Sequence, residues 1–530
     1  MAFSIQTAAR QHPRRIALVS SQGTWSFAAV AQAAARLARR IPQWQQKIDT
    51  EASRAESSRP PVALLGETRI STLIALYALF ELEIPVVLIH PRWTRRERLQ
   101  AVHQSGAGLY LKTSTGFSST GPSGASSDLD AIEDPTSAFD ALAADGRPLS
   151  PLGPETHPDE EALEVLPDVP PRASLPGESM ALVFTSGTTS TPKAALLSRQ
   201  AFLASARASE ANLGWQRDDR WLLSLPVAHV GGLSVVTRCL AGRRTVVLDP
   251  SAHFNPKSFG ENLSKYRVTL ASLVPTMLHR LLQEETHWRP PSTLRALLVG
   301  GAAASPVLLK QAAARQVPVL TTYGLTETCS QVTTQSYPSS LPPKVDPHRV
   351  REPLEGCGRP LPGFQVRIHD GQIQVKGDGL MTGYLPLRHR PQPFTADGWL
   401  ETGDLGYLSS TGELVVLGRK GDLIITGGEN VHPQAVEEVL RQHPGLEDVC
   451  VFGVADPVWG QRVAAALVPG VTGAPDDSDL AAFCRERMAR FKIPRAVAYL
   501  PQIPLQPNGK VNRRQVARDL KDKLRELRLS

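Results

Sequence analysis

Short apolar runs alternate with segments of helical period through the first ninety residues, and that alternation leaves few folds open. Phe27 to Ile41 repeats apolar residues at helical spacing, Val62 to Leu65 is a four-residue apolar run, Ile70 to Leu82 is helical again, and Ile84 to Ile89 is a second run. Runs with no polar alternation suit parallel strands covered on both faces. The pattern therefore predicts layered, parallel α/β structure. MALVF (180–184), TLRALLVGG (293–301) and VPVLTTYG (317–324) read the same way, each running into glycine or hydroxyl residues. Ser305 followed by Pro306 marks a helix start. Ligands in open α/β sheets bind beyond the carboxyl ends of the strands, so these loops are candidate site walls.

At 530 residues the chain exceeds a typical single domain of about 150. Gly356 to Leu417 holds short alternating runs (QVRIH, QIQV, GELVVLG), the pattern of a small β subdomain. After Arg419 the pattern becomes mixed α+β on a smaller scale: a helix after Pro433, strands at VCVFGV and VAAALV, and a helix from Asp479 to Arg490. The expected fold class is α/β: a large N-terminal body of layered sheets with a β subdomain (1–420), and a small mobile α+β C-terminal domain (421–530). Between about residues 113 and 177 the chain turns to Ser, Pro, Gly, Asp and Glu, which is expected to be a mobile surface insertion.

Charge bears on partners. The net charge is +7, yet 485–530 alone carries thirteen basic residues against four acidic ones. That tract has neither aromatic stacking platforms nor a groove-entering motif, so a solvated basic helix is expected and nucleic acid is not. With 41% apolar and 21% charged residues, collagen-like, coiled-coil and wholly disordered readings fall away. Five scattered cysteines without CxxC spacing suggest neither a disulfide framework nor a zinc site. The N-terminus lacks the apolar core of a signal peptide, and no window approaches about 18 apolar residues. A cytoplasmic location without a membrane span is expected, and the oligomeric state, a homodimer among the options, stays open.

TSGTTSTPKAALLS (185–198) is the segment richest in chemistry. Thr185, Ser186, Thr188, Thr189 and Thr191 surround Gly187 ahead of Lys193, directly after a strand. Hydroxyl and amide donors with one cation in a flexible loop are what a polyphosphate asks for. The register is not that of a Walker A loop. This segment resembles the phosphate-binding loop of the adenylate-forming superfamily, and further motifs follow in that family's order over about 20–515.

YGLTE (323–327) resembles the loop whose aromatic ring packs on adenine, which implies that Tyr323 contacts the base, that Thr326 and Glu327 serve the phosphates, and that Glu327 is the metal ligand. Gly301 and Ala302, in GGAAAS (300–305), are further implied nucleotide contacts. TGD (402–404) implies that Asp404 accepts from both ribose hydroxyls, and GRKGDLIITGGEN (418–430) implies Arg419 as a second ribose contact. PNGKVNRR (507–514) implies Lys510 as the catalytic lysine. The resemblance implies ATP, Mg2+ and CoA, and a C-terminal domain that rotates between adenylation and thioester formation. Thr426, Gly427 and Gly428 would line the CoA tunnel. The family's hinge position, on Asp, Lys or Ser in relatives, is here Gly421. Joining a carboxylate to the α-phosphate brings two anions together, so cations on both sides of the attacked phosphorus are a physical need as well as a likeness.

LPVAHVGGLSVVTR (225–238) would wall the acyl pocket, with His229 implied as catalytic and pocket-lining. This string, with YGLTETCSQ and ITGGENVHPQAVEEVL, resembles the o-succinylbenzoate–CoA ligase branch of menaquinone biosynthesis. A second carboxylate on that acid calls for another cation, and Arg238 is the candidate. Other aryl- or acyl-CoA synthetases, a carrier-protein-loading enzyme and an inactive nucleotide-binding protein are the alternatives. Gln372 departs from the family's glutamate, and Ser190 from a common glycine.

Overall fold

A computed structural model of the chain describes residues 3–49, 60–107, 109–113, 139–143, 179–185, 193–249, 253–337, 356–387, 391–471, 473–506 and 511–527. Two large sheets form the body. One runs from the edge strand Arg359–Pro360 through Ser330–Thr334, Val319–Leu325, Ala296–Gly300, Leu270–Leu273, Arg220–Leu223, Thr245–Leu248 and Ile16–Ser20 to Gly23–Ser26. Its six inner strands, Val319–Leu325 to Ile16–Ser20, are parallel. The other orders Gly383–Tyr384, Lys193–Ser198, Ser179–Thr185, Val86–Ile89, Val62–Leu65, Leu109–Thr113 and Phe139–Ala143, with a parallel centre.

The unbroken apolar runs have the expected cause. Val62 and Leu64 enter one core cluster while Ala63 and Leu65 enter another. Both faces of that strand are therefore covered, and no polar alternation can be tolerated. The helix Ile70–Glu81 obeys the same logic, because nine of its residues are buried and a helix wrapped in core must be apolar all round. A four-stranded antiparallel sheet, Phe364–His369, Gln372–Gly377, Leu400–Leu408 and Leu414–Arg419, is the predicted β subdomain.

The small C-terminal domain carries its own sheet, built on the hairpin Ile424–Thr426/Glu429–Val431 and the strands Leu446–Asp456, Gly460–Pro469, Ala496–Tyr499 and Arg525–Glu526. Its core includes Ile424, Val436, Leu467 and Leu480.

Two expectations needed correction. The helix predicted for Asp479–Arg490 spans Asp477–Arg487, because the Asp476 side chain accepts from the Asp479 N–H and starts it earlier. Most of 113–177 lies outside the described residues; within it, Phe139–Ala143 pairs antiparallel with Leu109–Thr113. The basic C-terminal tract is not solvated along its length. Arg513, at the start of the helix Arg513–Leu520, holds the buried Glu437 through Nη2 at 2.7 Å and 2.8 Å.

Candidate active site

Within each large sheet the parallel strands end on one side, and three of the predicted residues sit at or near such strand ends. Thr185 closes Ser179–Thr185, Gly301 follows Ala296–Gly300, and Tyr323 lies near the end of Val319–Leu325. Asp404 and Arg419 face each other across the antiparallel pair Leu400–Leu408/Leu414–Arg419. Register thus joins two residues fifteen positions apart in the chain.

The Asp404 carboxylate is held through both of its oxygens. Arg419 Nε lies 2.7 Å from Asp404 Oδ1, and the Tyr323 hydroxyl donates to Oδ2 at 2.7 Å. The Asp404 backbone N–H donates to Thr402 Oγ1 at 3.0 Å, and Arg419 Nη1 donates to the Thr402 carbonyl at 3.0 Å. Burial, with the Asp404 charge beside it, raises the Tyr323 phenol well above its ordinary range, so it stays a donor. Burial disfavours the Arg419 cation, but Asp404, Tyr323 and Glu327 outweigh that and hold its pKa above the ordinary value.

A second cluster surrounds Glu327, in the short 3-10 turn Thr326–Thr328. The Tyr384 hydroxyl donates to Glu327 Oε1, and the Met381 N–H donates to the Glu327 carbonyl at 2.8 Å. Lys193, first residue of Lys193–Ser198, places its ammonium 5.2 Å from the Tyr384 ring centroid. Tyr384 is a member that sequence reasoning missed. GYLPL follows the β-subdomain hairpin and reads as a turn, and only pairing of Tyr384 with Ala195 brings it to the site. Hard oxygen donors on Thr326 and Glu327 suit magnesium.

His229 caps the helix Val230–Gly242 without a side-chain capping bond, and its ring lies 4.9 Å from that of His90. His90, just past Val86–Ile89, was also missed, as a lone histidine carries no signal. It is 3% exposed and accepts the Arg92 N–H at Nδ1. Burial, then Arg92 and Arg98, push its pKa down to about 4, against the opposing pull of Glu97, so the ring is neutral.

Arg238 is buried, which excludes an outward, solvated arginine. Its Nη2 donates to Ser205 Oγ at 3.1 Å, and that hydroxyl donates to the Cys329 carbonyl at 2.7 Å, just past the Thr326–Thr328 turn. The guanidinium carbon lies 5.8 Å from the Trp221 ring centroid. Among the described residues no carboxylate pairs with it, and burial lowers its pKa to about 10, so it remains charged near neutrality.

In the small domain, Thr426 precedes a two-residue turn in which Gly427 and Gly428 have φ of +59° and +85°. That hairpin turn needs positive φ at both positions. The Gly427 N–H donates to the Trp459 carbonyl at 2.9 Å, and a Cβ there would stand 2.6 Å from the Trp459 ring. Gly421 lies in a short turn, Lys420–Asp422, and its carbonyl accepts from Arg514 at 3.3 Å. Gln372 is buried and accepts from Lys420 Nζ at 3.4 Å. Gly301 and Ala302 are exposed. Ser186, Gly187, Thr188, Thr189, Ser190 and Lys510 lie outside the described residues.

A tyrosine–aspartate–arginine cluster across two sheets and a small domain carrying a glycine turn are the arrangement of an adenylate-forming type of enzyme. The chain belongs to the AMP-binding enzymes: the family model described as AMP-binding enzyme matches residues 5–385, and that of the AMP-binding enzyme C-terminal domain matches 435–510.

Within that family it is similar to 2-succinylbenzoate–CoA ligases. The ligase of Geobacillus kaustophilus is 35% identical over 514 residues, covering 96% of this chain and 95% of that protein. The Bacillus subtilis o-succinylbenzoate CoA synthetase in complex with the acyl-adenylate intermediate OSB-AMP matches with a TM-score of 0.75 at 30% identity, covering 97% of this chain and 98% of that one. The same synthetase with ATP and magnesium ion matches at 0.74 and 30%, covering 96% and 98%. The adenylate-forming fold expected from the motifs is the fold observed.

Proposed function

We propose that this chain is an ATP- and magnesium-dependent acid–CoA ligase whose acid is 2-succinylbenzoate. The observation that carries the reading is the Tyr323–Asp404–Arg419 cluster, a buried carboxylate of the antiparallel subdomain with two fixed donors, one of them near the end of a parallel strand. The relatives' names supply the acid.

In the first step a carboxylate oxygen attacks the α-phosphorus of ATP. The new O–P bond forms as the bond to the bridging oxygen breaks, and pyrophosphate leaves with that electron pair. Asp404 accepts the ribose hydroxyls, Tyr323 packs on adenine, and Lys193 and the 185–193 loop hold the phosphates. Thr326 and Glu327 would hold magnesium, which when bound supplies charge neutralisation at the phosphate oxygens. Lys510 stabilises the charge developing between carboxylate and phosphorus. In the second step the CoA sulfur attacks the acyl carbon, its proton passes to solvent, and AMP departs with the C–O electron pair. His229 lies on the wall between acyl group and nucleotide, and Thr426, Gly427 and Gly428 flank the thiol's path.

The proposed domain boundary falls between 420 and 421, with Gly421 as the pivot. Side-chain allegiance changes there: Lys420 bonds to Gln372 of the body, whereas Asp422 lies 3.8 Å from Arg513 of the small domain. Arg238, charged and without a carboxylate partner among the described residues, is the proposed partner of the acid's second carboxylate. A cytoplasmic setting suits five cysteines that are all unpaired. Among the described residues no helix is long and apolar enough to cross a membrane.

The test is acid-dependent ATP–pyrophosphate exchange across succinylbenzoate, benzoate, fatty and amino acids, followed by CoA addition. Exchange fastest with succinylbenzoate, then a CoA thioester, is expected. In Arg238→Ala the preference over benzoate should shrink. Exchange without any thioester would move the acceptor to a carrier protein, and no exchange with any acid would refute the ligase reading.

A further inference from the structure

Glu327 is held from two directions by a single short segment. The Met381 N–H binds its backbone carbonyl and the Tyr384 hydroxyl binds its carboxylate at Oε1. The segment is itself stitched to the strand Lys193–Ser198, through Thr382 N–H to the Leu196 carbonyl at 2.9 Å and the pairing of Tyr384 with Ala195. The Gln392 side-chain amide then clamps Tyr384, accepting its N–H at 2.7 Å and donating to its carbonyl at 3.1 Å. A tyrosine fixed at both backbone groups has little freedom to move its ring, which is 8% exposed. That ring carries the Lys193 ammonium over its face, 5.2 Å from the centroid.

We propose that Tyr384 is a positioning residue with two separable duties: its hydroxyl orients the Glu327 carboxylate for magnesium, and its ring face holds Lys193 beside the nucleotide phosphates. The inference rests on the reading of Glu327 as the metal ligand. A carboxylate can accept from several directions, and a metal competes with any proton donor for the same lone pairs. A phenol fixed on Oε1 removes that ambiguity, since it restrains the carboxylate's rotation and leaves Oε2, which makes no hydrogen bond among the described residues, for the metal. Donation to a charged acceptor is strong enough to set the orientation. The face of a tyrosine ring attracts an ammonium without supplying a proton acceptor, so Lys193 is retained there yet keeps all three N–H donors for phosphate oxygens.

The two duties are separated by two substitutions and one control. Tyr384→Phe removes the hydroxyl and keeps the ring, whereas Tyr384→Leu removes both. ATP affinity is measured calorimetrically without acid substrate, once in EDTA and once in saturating magnesium. For Tyr384→Phe the affinity in EDTA should stay within about twofold of the parent while the affinity in magnesium falls about tenfold or more, the size of a hydrogen bond to a charged group. For Tyr384→Leu both affinities should fall, the EDTA value by about three- to fivefold for the lost cation–π contact.

A purely structural role would weaken both affinities of Tyr384→Phe alike, and that result overturns the proposal. So does an unchanged magnesium affinity in Tyr384→Phe. Glu327→Gln separates the two readings: if it preserves the magnesium gain, the metal-ligand reading of Glu327 is wrong. If it abolishes that gain while Tyr384→Phe retains it, only the role of Tyr384 is refuted. Should Tyr384→Leu fail to fold, Tyr384→Phe and Glu327→Gln still decide the hydroxyl's duty, and Lys193→Met in EDTA decides the ring's: an ATP affinity that does not fall refutes it.

Discussion

Asp404→Asn separates holding the ribose from holding the fold. In the parent the carboxylate is 5% exposed and divides its oxygens between Arg419 and Tyr323, each at 2.7 Å. Asparagine keeps the shape, loses the charge and offers one acceptor atom in place of two. Its oxygen must turn to Arg419, which can only donate, and its NH2 to Tyr323, whose hydroxyl can rotate and accept. The ligand-free protein therefore loses little. Half of the Arg419 side chain is solvent-exposed, so the screened pair contributes about 0.5–1 kcal/mol. Converting the tyrosine bond from charge-assisted to neutral removes about 1 kcal/mol more.

The nucleotide complex loses far more. Two ribose hydroxyls that met a carboxylate, at about 1.5–3 kcal/mol each, are left with one neutral bond of about 1 kcal/mol, a deficit of about 2–5 kcal/mol. AMP binding should weaken between about 30-fold and a few thousand-fold, with the melting transition lowered only modestly. Calorimetric titration with AMP and thermal melting of both proteins provide the two numbers. AMP affinity within about threefold of the parent would refute the ribose assignment, and a collapse of stability with the same loss of affinity would show that the cluster is mainly a strut.

Two further outcomes are expected. His90 has its pKa lowered to about 4 from an ordinary 6.5, so the stability of the neutral, buried ring is complete above pH 6.5 and is lost as pH falls toward 4, about 2 kcal/mol of it by pH 5. Urea midpoints at pH 7.5 and 5 should therefore diverge less in His90→Gln than in the parent, and an equal divergence in both would contradict the assignment. Gly427→Ala puts a methyl group 2.6 Å from Trp459 at φ +59°, costing about 1–2 kcal/mol of backbone strain. CoA-dependent thioester formation should slow with pyrophosphate exchange preserved, and equal loss of both steps would remove the tunnel role.

How much of this was legible in the chain depended on the range of the interaction concerned. Val62–Leu65 appears in the sequence as it does in the structure, because a strand covered on both faces writes its environment directly into consecutive residues. The helix start at Ser305–Pro306 was equally readable, since the Ser305 hydroxyl meets the Leu308 N–H three residues away. Asp404 and Arg419 were readable one by one as motif members. Phe139–Ala143 was not, because its surroundings are polar and its pairing partner lies about thirty residues earlier.

The sequence alone determined the layered α/β class, the order of the nucleotide motifs and the family they imply, all of them properties of short contiguous segments. Tertiary structure alone decided that Tyr384 reaches Glu327, that the His90 ring packs at a tilt against His229, that Arg238 is buried with no carboxylate partner among the described residues, and that Arg513 is drawn out of a basic tail to neutralise Glu437. Each depends on packing between residues far apart in the chain. Burial then fixes its strength, since a charge or hydroxyl removed from water must take whichever partner the fold brings within reach.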